Sequence, residues 1–254
     1  MNTWFLKGLR TGIVTTPYPD AEDATPGVTP GLPRHEENTE RAFAAVSMCP
    51  TRALVQVEQE IVVDYGRCVH CFRCRGEGGR IRWEKNHEWA ERVENHSSVS
   101  DGTAKVFSRS LHIRVVDAGA CGTCLSEIEQ LNKPYYNIHR LGFFVTPTPR
   151  EADVLMVAGP VTGHMRTALL KAYEAMPTPK AVIAVGACAL SGGVFGPSFA
   201  SGGGVSEFIP VDVMIPGCPP PPLAIIHGLL LLTGRKKPST AVSRKKLSGG
   251  ENHA

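Results

Sequence analysis

The sequence predicts an α/β protein, a parallel β-sheet with helices on its faces, preceded by a small α+β module. Three observations carry this. Beyond residue 106, apolar runs bounded by Gly or Pro alternate with helical periodicity, the pattern of parallel strands joined by crossovers. Before residue 86, three cysteines are set at three-residue steps. A polar stretch at 86–105 lies between the two regions and is expected to be a linker.

At the amino terminus, Trp4, Phe5, Leu6, Leu9 and Ile13 with Lys7 and Arg10 make a short amphipathic stretch. It reads as an arm packed on another subunit, with an interfacial anchor as the alternative. Pro17 to Pro33, rich in Pro, Gly and acids, reads as an extended crossing segment, so residues 1–33 are expected to form an arm. Residues 34–85 form the small module. In the second domain, 106–234, Leu111–Asp117 alternates with period two and stops at Gly119. Leu141–Val145, Asp153–Ala158, Lys180–Val185 and Val211–Ile215 are the further strand candidates. Arg166–Met176 has helical periodicity, and Pro222–Thr233 is an apolar run of helix length behind prolines that suit a helix start. Residues 235–254 read as a disordered basic tail.

The eight cysteines fall into two sets of four. Cys68, Cys71 and Cys74 form a C-x2-C-x2-C run, and Cys49-Pro50 lies upstream. In ferredoxins such a run holds three corners of an iron–sulfur cluster, and a Cys-Pro elsewhere supplies the fourth. Two-cluster ferredoxins carry the run twice. Here the first run's other ligand positions are Thr39, Ala42 and Ala45, and the last position of the second run is Gly78. One ligand set is wholly lost and the other wholly kept, so residues 34–85 read as a ferredoxin-like [4Fe–4S] module with one cluster. Ala42, Phe43, Ala44, Ala45 and Val46 are expected to fill the place of the lost one.

The second set is Cys121-Gly-Thr-Cys124, Gly186-Ala-Cys188 and Pro216-Gly217-Cys218-Pro219. Each follows a predicted strand, so all four thiols are expected at strand carboxyl ends, where flavodoxin-like open sheets build their sites. Four thiolates from three segments can hold a second [4Fe–4S] cluster. Gly119, Gly122, Gly186 and Gly217 let the backbone approach its sulfurs. Gly159-Pro-Val-Thr-Gly163 lacks the Walker lysine and reads as a turn lining the same crevice. Disulfides are disfavoured because the start has no apolar leader core, which places the chain in a reducing cytoplasm. A zinc-stabilised scaffold without redox activity is the other alternative. Zinc usually takes two separated thiolate pairs, which the Cys68–Cys74 run does not offer.

At 254 residues, 42% hydrophobic and 20% charged, the chain can bury ordinary cores. Arg235, Lys236, Lys237, Arg244, Lys245 and Lys246, set against Glu251, account for more than the whole net charge of +3. Without them the remainder is close to −2, and no aromatic interleaving supports nucleic-acid binding. No apolar run reaches the roughly 18–20 residues of a membrane span.

Four ordered motifs carry a resemblance: C-x2-C-x2-E at Cys121, Cys124 and Glu127, V-x-G-P at Val157–Pro160, G-A-C at Gly186–Cys188 and G-C-P-P at Gly217–Pro220. Through them residues 111–234 resemble the small subunit of membrane-associated, complex-I-related [NiFe] hydrogenases, including formate hydrogenlyase, and the homologous terminal-cluster subunit of respiratory complex I. The opening Lys7–Tyr18 and the Tyr65–Cys71 run make residues 1–85 similar to the ferredoxin-type subunit of the same complexes. The chain thus reads as a fusion of two neighbouring subunits. The C-x2-C spacing of Cys121 and Cys124 favours the hydrogenase branch over complex I, whose subunits begin with adjacent cysteines.

The resemblance implies an electron-transfer subunit of an oxidoreductase. Cys49, Cys68, Cys71 and Cys74 would hold one [4Fe–4S] cluster and Cys121, Cys124, Cys188 and Cys218 the other. The catalytic site would lie on a separate [NiFe]-type large subunit. Other iron–sulfur and membrane subunits would hold the chain at the inner face of the cell membrane. A complex-I-like NADH/quinone oxidoreductase, or a related complex whose large subunit has lost nickel, is the alternative. Glu127 is expected to orient the loop after Cys124 rather than relay protons. His112, His164 and His227 are expected to be core or surface residues.

Overall fold

The computed structural model describes residues 3–34, 36–37, 45–58, 60–75, 81–93 and 110–238. Val154–Ala158 and Ala181–Val185 consist wholly of apolar residues, and every one of them is buried, as strands covered on both faces require. They lie at the middle of the main sheet.

In chain order the strands are β1 (Leu32–Pro33), β2 (Glu36–Glu37), β3 (Leu54–Val57), β4 (Glu60–Val63), β5 (Trp83–Glu84), β6 (Glu91–Arg92) and β7 (Leu111–Asp117). They continue as β8 (Phe143–Val145), β9 (Val154–Ala158), β10 (Ala181–Val185) and β11 (Val213–Ile215). The helices are α1 (Trp4–Thr11), α2 (Thr123–Gln130), α3 (Gly163–Ala175), α4 (Ala187–Ser191) and α5 (Pro222–Leu232). The six-stranded sheet runs β6-β11-β10-β9-β7-β8. From β11 to β8 all pairings are parallel. Counted from β7 onward, those five strands stand in the order 2-1-3-4-5 of flavodoxin-like sheets, in which the strand order reverses between the first and third.

Alternation along the strands gives the sheet two apolar faces. Ile113, Met156, Ile183 and Val213 point into one cluster, which α5 fills with Leu223, Ile226 and Leu230. Leu155, Val157, Val182 and Ala184 point into the other, which Leu169 of α3 and Ala189 of α4 help close. All eleven residues of α5 are buried. Among the described residues no helix is long and apolar enough to cross a membrane.

The amino-terminal region carries two small antiparallel sheets, β2-β4-β3 and β1-β5. Among the described residues its apolar side chains do not form a separate core. Ala45, Leu54, Ile61, Val63, Tyr65 and Ile81 belong to the same cluster as one face of the large sheet.

Three expected boundaries are therefore corrected. Residues 86–93 are not linker: Trp89 and Ala90 are buried, the Trp89 indole N–H donates to Pro216 O at 2.8 Å, and β6 pairs antiparallel with β11. Burial of one indole and pairing with an open sheet edge outweigh the polar composition; residues 94–105 lie outside the described residues. The segment after α1 is more than an arm, because Tyr18, Val28 and Leu32 enter the shared core. The tail begins later than residue 235, since Arg235 donates to Leu141 O at 2.6 Å and Lys236 pairs with Glu88 at 2.9 Å. Residues 239–254 are outside the described set, as are Thr39, Ala42, Phe43, Ala44 and Gly78; Ala45 is fully buried and Val46 packs on the core. The expected strand at Leu141–Val145 starts only at Phe143, because Ile138–Leu141 forms a 3-10 turn that buries Ile138 and Leu141.

Candidate functional site

The first cysteine set is built by turns. Cys49 N–H donates to Val46 O, and Arg52 N–H returns to Cys49 O, both at 3.2 Å. Ala53 N–H donates to the Cys49 sulfur at 3.2 Å. Cys68 is held by its N–H on Asp64 O at 3.1 Å, and Ile81 N–H reaches Cys74 O at 3.1 Å. Between the thiols, His70 and Phe72 take φ of +49° and +59°, a region that costs a non-glycine residue on the order of 1 kcal/mol or more. Those values curl the loop around a cavity. Cys49, Cys68, Cys71 and Cys74 all line it, with Pro33, Leu54, Val69 and Trp83 among its apolar walls.

Burial pushes the Cys68 thiol up to about 12, with the neighbouring Cys74, Cys49 and Cys71 adding to the rise. The Cys74 thiol is raised by burial too, against a hydrogen bond from Trp83 that lowers it. Such thiols hold their protons at neutral pH unless a metal takes the proton's place.

The second set stands where the parallel strands end. β7 stops at Asp117, whose Oδ1 accepts from Gly119 N–H at 2.9 Å and Ala120 N–H at 2.7 Å. That turn throws Cys121 and Cys124 across the carboxyl edge and onto α2. Cys188 lies in α4 directly after β10, and Cys218 follows β11. Gly159, after β9, sits so close that a Cβ there would lie 2.7 Å from Ala120 N, so the expected crevice turn packs against the cysteine loop. Gly186, at φ +88°, leaves room for a sulfur: a Cβ on it would be 2.5 Å from Cys124 Sγ.

The structure brings these four thiols together. Burial pushes Cys124 up to about 12, with Cys218, Cys188, Cys121 and Glu127 adding to the rise. Cys188 and Cys218 are raised by burial and then by their partners in the set. Cys121 is exposed, and hydrogen bonding to Thr123 at 3.0 Å lowers its pKa. Among the described residues no three His, Cys, Asp or Glu side chains form a site for a single metal ion. Four thiols per set are the donor chemistry of an iron–sulfur group, and the first set adds apolar walls and the Ala53 N–H on a sulfur.

Between the two sets lies a second cavity that the sequence did not disclose. His70 and Phe72 line it from the first set and Glu127, Tyr136 and Cys218 from the second. Glu127 is half-buried and its carboxyl is raised by burial. His70 is buried between Trp83 and Trp89, with ring centroids 5.8 and 5.9 Å away, and burial lowers its pKa to about 4. Of the histidines expected to be core or surface residues, His227 is fully buried, while His112 and His164 are exposed. His227 Nδ1 accepts from Ala90 N–H at 3.1 Å.

With the thiols so placed, comparison with known proteins becomes informative. Residues 121–232, which contain all four cysteines of the second set, match the family described as NADH ubiquinone oxidoreductase, 20 Kd subunit. An uncharacterised protein of Methanocaldococcus jannaschii is 51% identical over 122 residues, covering 48% of this chain and 82% of that one. The chain belongs to this family. Formate hydrogenlyase subunit 7 of Escherichia coli is 40% identical over 141 residues, 56% of this chain and 55% of that protein. The chain thus spans about half the length of that relative. The probable membrane-bound hydrogenase subunit mbhJ of Pyrococcus furiosus is 42% identical over 127 residues, 50% of this chain and 76% of its own length. The family match falls in the sheet-bearing half, and two of these relatives are named as subunits, one of formate hydrogenlyase and one of a membrane-bound hydrogenase.

Proposed function

We propose that the chain is the iron–sulfur electron-transfer subunit of a multisubunit, complex-I-related oxidoreductase of the hydrogenase type, similar to formate hydrogenlyase. The observation that carries this is the gathering of two complete thiol quartets, one around a cavity and one at the carboxyl ends of parallel strands. Each quartet would hold one [4Fe–4S] cluster, which when bound takes up and gives back one electron. Cys49, Cys68, Cys71 and Cys74 would ligate the first, and Cys121, Cys124, Cys188 and Cys218 the second.

The protein's own part is to keep two carriers at fixed spacing. The shared core and the Trp89–Pro216 bond tie the loop of one quartet to the loop of the other. Exposed Cys121 and half-buried Cys188 and Cys218 put the second quartet near the surface, so a [NiFe]-type large subunit carrying the catalytic site would dock over that face. Peripheral attachment to the inner face of the cell membrane would come through partner subunits. The C-x2-C spacing of Cys121 and Cys124 supports the hydrogenase branch over a complex-I-like NADH/quinone enzyme.

The test is iron and acid-labile sulfide in protein purified without oxygen. About eight iron atoms per chain are expected, and Cys68→Ser or Cys124→Ser should each remove about half. Zinc in place of iron, or about four iron atoms in the unaltered chain, would overturn the two-cluster reading.

A further inference from the structure

A groove of about 520 Å³ runs between the cysteine-bearing region and the large sheet, and among the described residues none of the eight cysteines lines it. One wall holds Arg52 and Arg67; the other is the loop after α4, with Ser191, Val194 and Phe195. Ser191 Oγ donates to Gly66 O at 2.8 Å across its floor, so the two walls are held together.

The groove's charge has one sign. Among the described residues no acidic side chain lines it. Arg67 is more than half exposed and meets Asp64 through Nε at 3.5 Å, while Arg52 is exposed and has no side-chain partner among the described residues. The position of Arg52 is fixed all the same, since its backbone stands at φ +53° with its N–H on Cys49 O. The opposite wall is apolar and uncovered. Val194 is 62% exposed, Phe195 78%, and Phe199 a little further along is wholly in solvent. Burying an aromatic side chain is favourable, so two such rings left in water beside Val194 mark a surface that something covers.

We infer that this groove receives an acidic segment of a partner polypeptide, its carboxylates on Arg52 and Arg67 and its apolar side chains on Val194, Phe195 and Phe199. Arginines beside aromatic anchors are the composition of protein interfaces, whereas a lone phosphate would leave both rings bare. The segment would lie beside one thiol of each quartet: Pro50 follows Cys49, and a Cβ at Gly193 would be 2.6 Å from Cys188 Sγ. This inference rests on the multisubunit reading but not on the clusters.

The test places the photo-crosslinking residue p-benzoylphenylalanine at position 195 of the full chain, produced in its own host with its partner subunits. Irradiation should join it to one partner segment carrying several Asp or Glu residues. The double variant Arg52→Glu, Arg67→Glu should lower the yield about tenfold, and rising ionic strength should lower it as well. Arg52→Lys with Arg67→Lys should keep most of it. An adduct to a nucleotide or lipid, to a segment without acidic residues, or at equal yield in the charge-reversed variant overturns the proposal. If the subunits co-purify and position 195 joins to none of them, the multisubunit reading stands and the groove assignment falls.

Discussion

Gly186→Ala and Gly122→Ala together ask whether the Cys124 thiol is held in place by something larger than itself. Both glycines stand at positive φ, +88° and +93°, so a methyl group at either costs about 1–2 kcal/mol in backbone strain. Their surroundings differ. A Cβ at Gly122 meets nothing within 4 Å, whereas one at Gly186 lies 2.5 Å from Cys124 Sγ, with its other neighbours at 3.4 Å or more. A free thiol would turn aside and the two variants would cost about the same. A thiolate bound to iron cannot turn without leaving the metal, which adds roughly 1–3 kcal/mol of overpacking or the loss of the ligand. Iron per chain after anaerobic purification, with urea denaturation alongside, separates the cases: Gly122→Ala should keep its iron and Gly186→Ala should lose the second quartet's share. Equal iron and equal stability in the two variants would refute the placement of Cys124 as a ligand.

Trp89→Ala should cost about 3–5 kcal/mol, the usual range for emptying a buried indole site, and should lower both regions in a single urea transition because one core serves them. Two separated transitions would show independent folding. Burial holds His227 near 4 instead of 6.5, so the unfolded chain binds the extra proton between those values and stability falls as pH drops through that window. The loss from this residue is about 2 kcal/mol at pH 5, and His227→Gln should flatten the pH dependence of urea midpoints by that amount; an unchanged slope would rule it out. Because burial keeps Cys68 and Cys124 protonated, loading the apo-protein with iron and sulfide should release protons and strengthen about tenfold per pH unit for each thiol displaced. Loading that does not vary with pH would mean the thiols are already ionised.

The half of the fold that was legible in the sequence is the half whose elements are long enough to show a period. Leu111–Asp117 alternates, β9 and β10 are unbroken apolar runs, and each stops at a glycine or proline, so the sheet and the place of Cys121, Cys124, Cys188 and Cys218 on its carboxyl edge could be read directly. β6 has two residues, Glu91 and Arg92, and no period exists in two residues. Only the exposed edge of β11 makes them a strand. The same holds for His70, which is polar in sequence and buried in fact because Trp83 and Trp89 arrive from elsewhere to enclose it. The segment from Tyr18 to Leu32 reads as a loop by its prolines and glycines, yet it supplies core side chains, since composition records turns and not what the turns cover.

Sheets end somewhere, and an unpaired edge offers its N–H and C=O groups to any passing strand. On the β11 side that edge is closed by β6, which runs against the direction of the other five and comes from the stretch between the two cysteine sets. The practical seam in the chain therefore falls before residue 86, so that β6 stays with the sheet it closes. A sheet half begun at residue 110 would lack β6 and, with it, Trp89 over Pro216; it should self-associate along β11, while one begun at residue 86 should stay dispersed. Cut after residue 93 instead, the cysteine-bearing region would carry away the strand that closes its neighbour's edge.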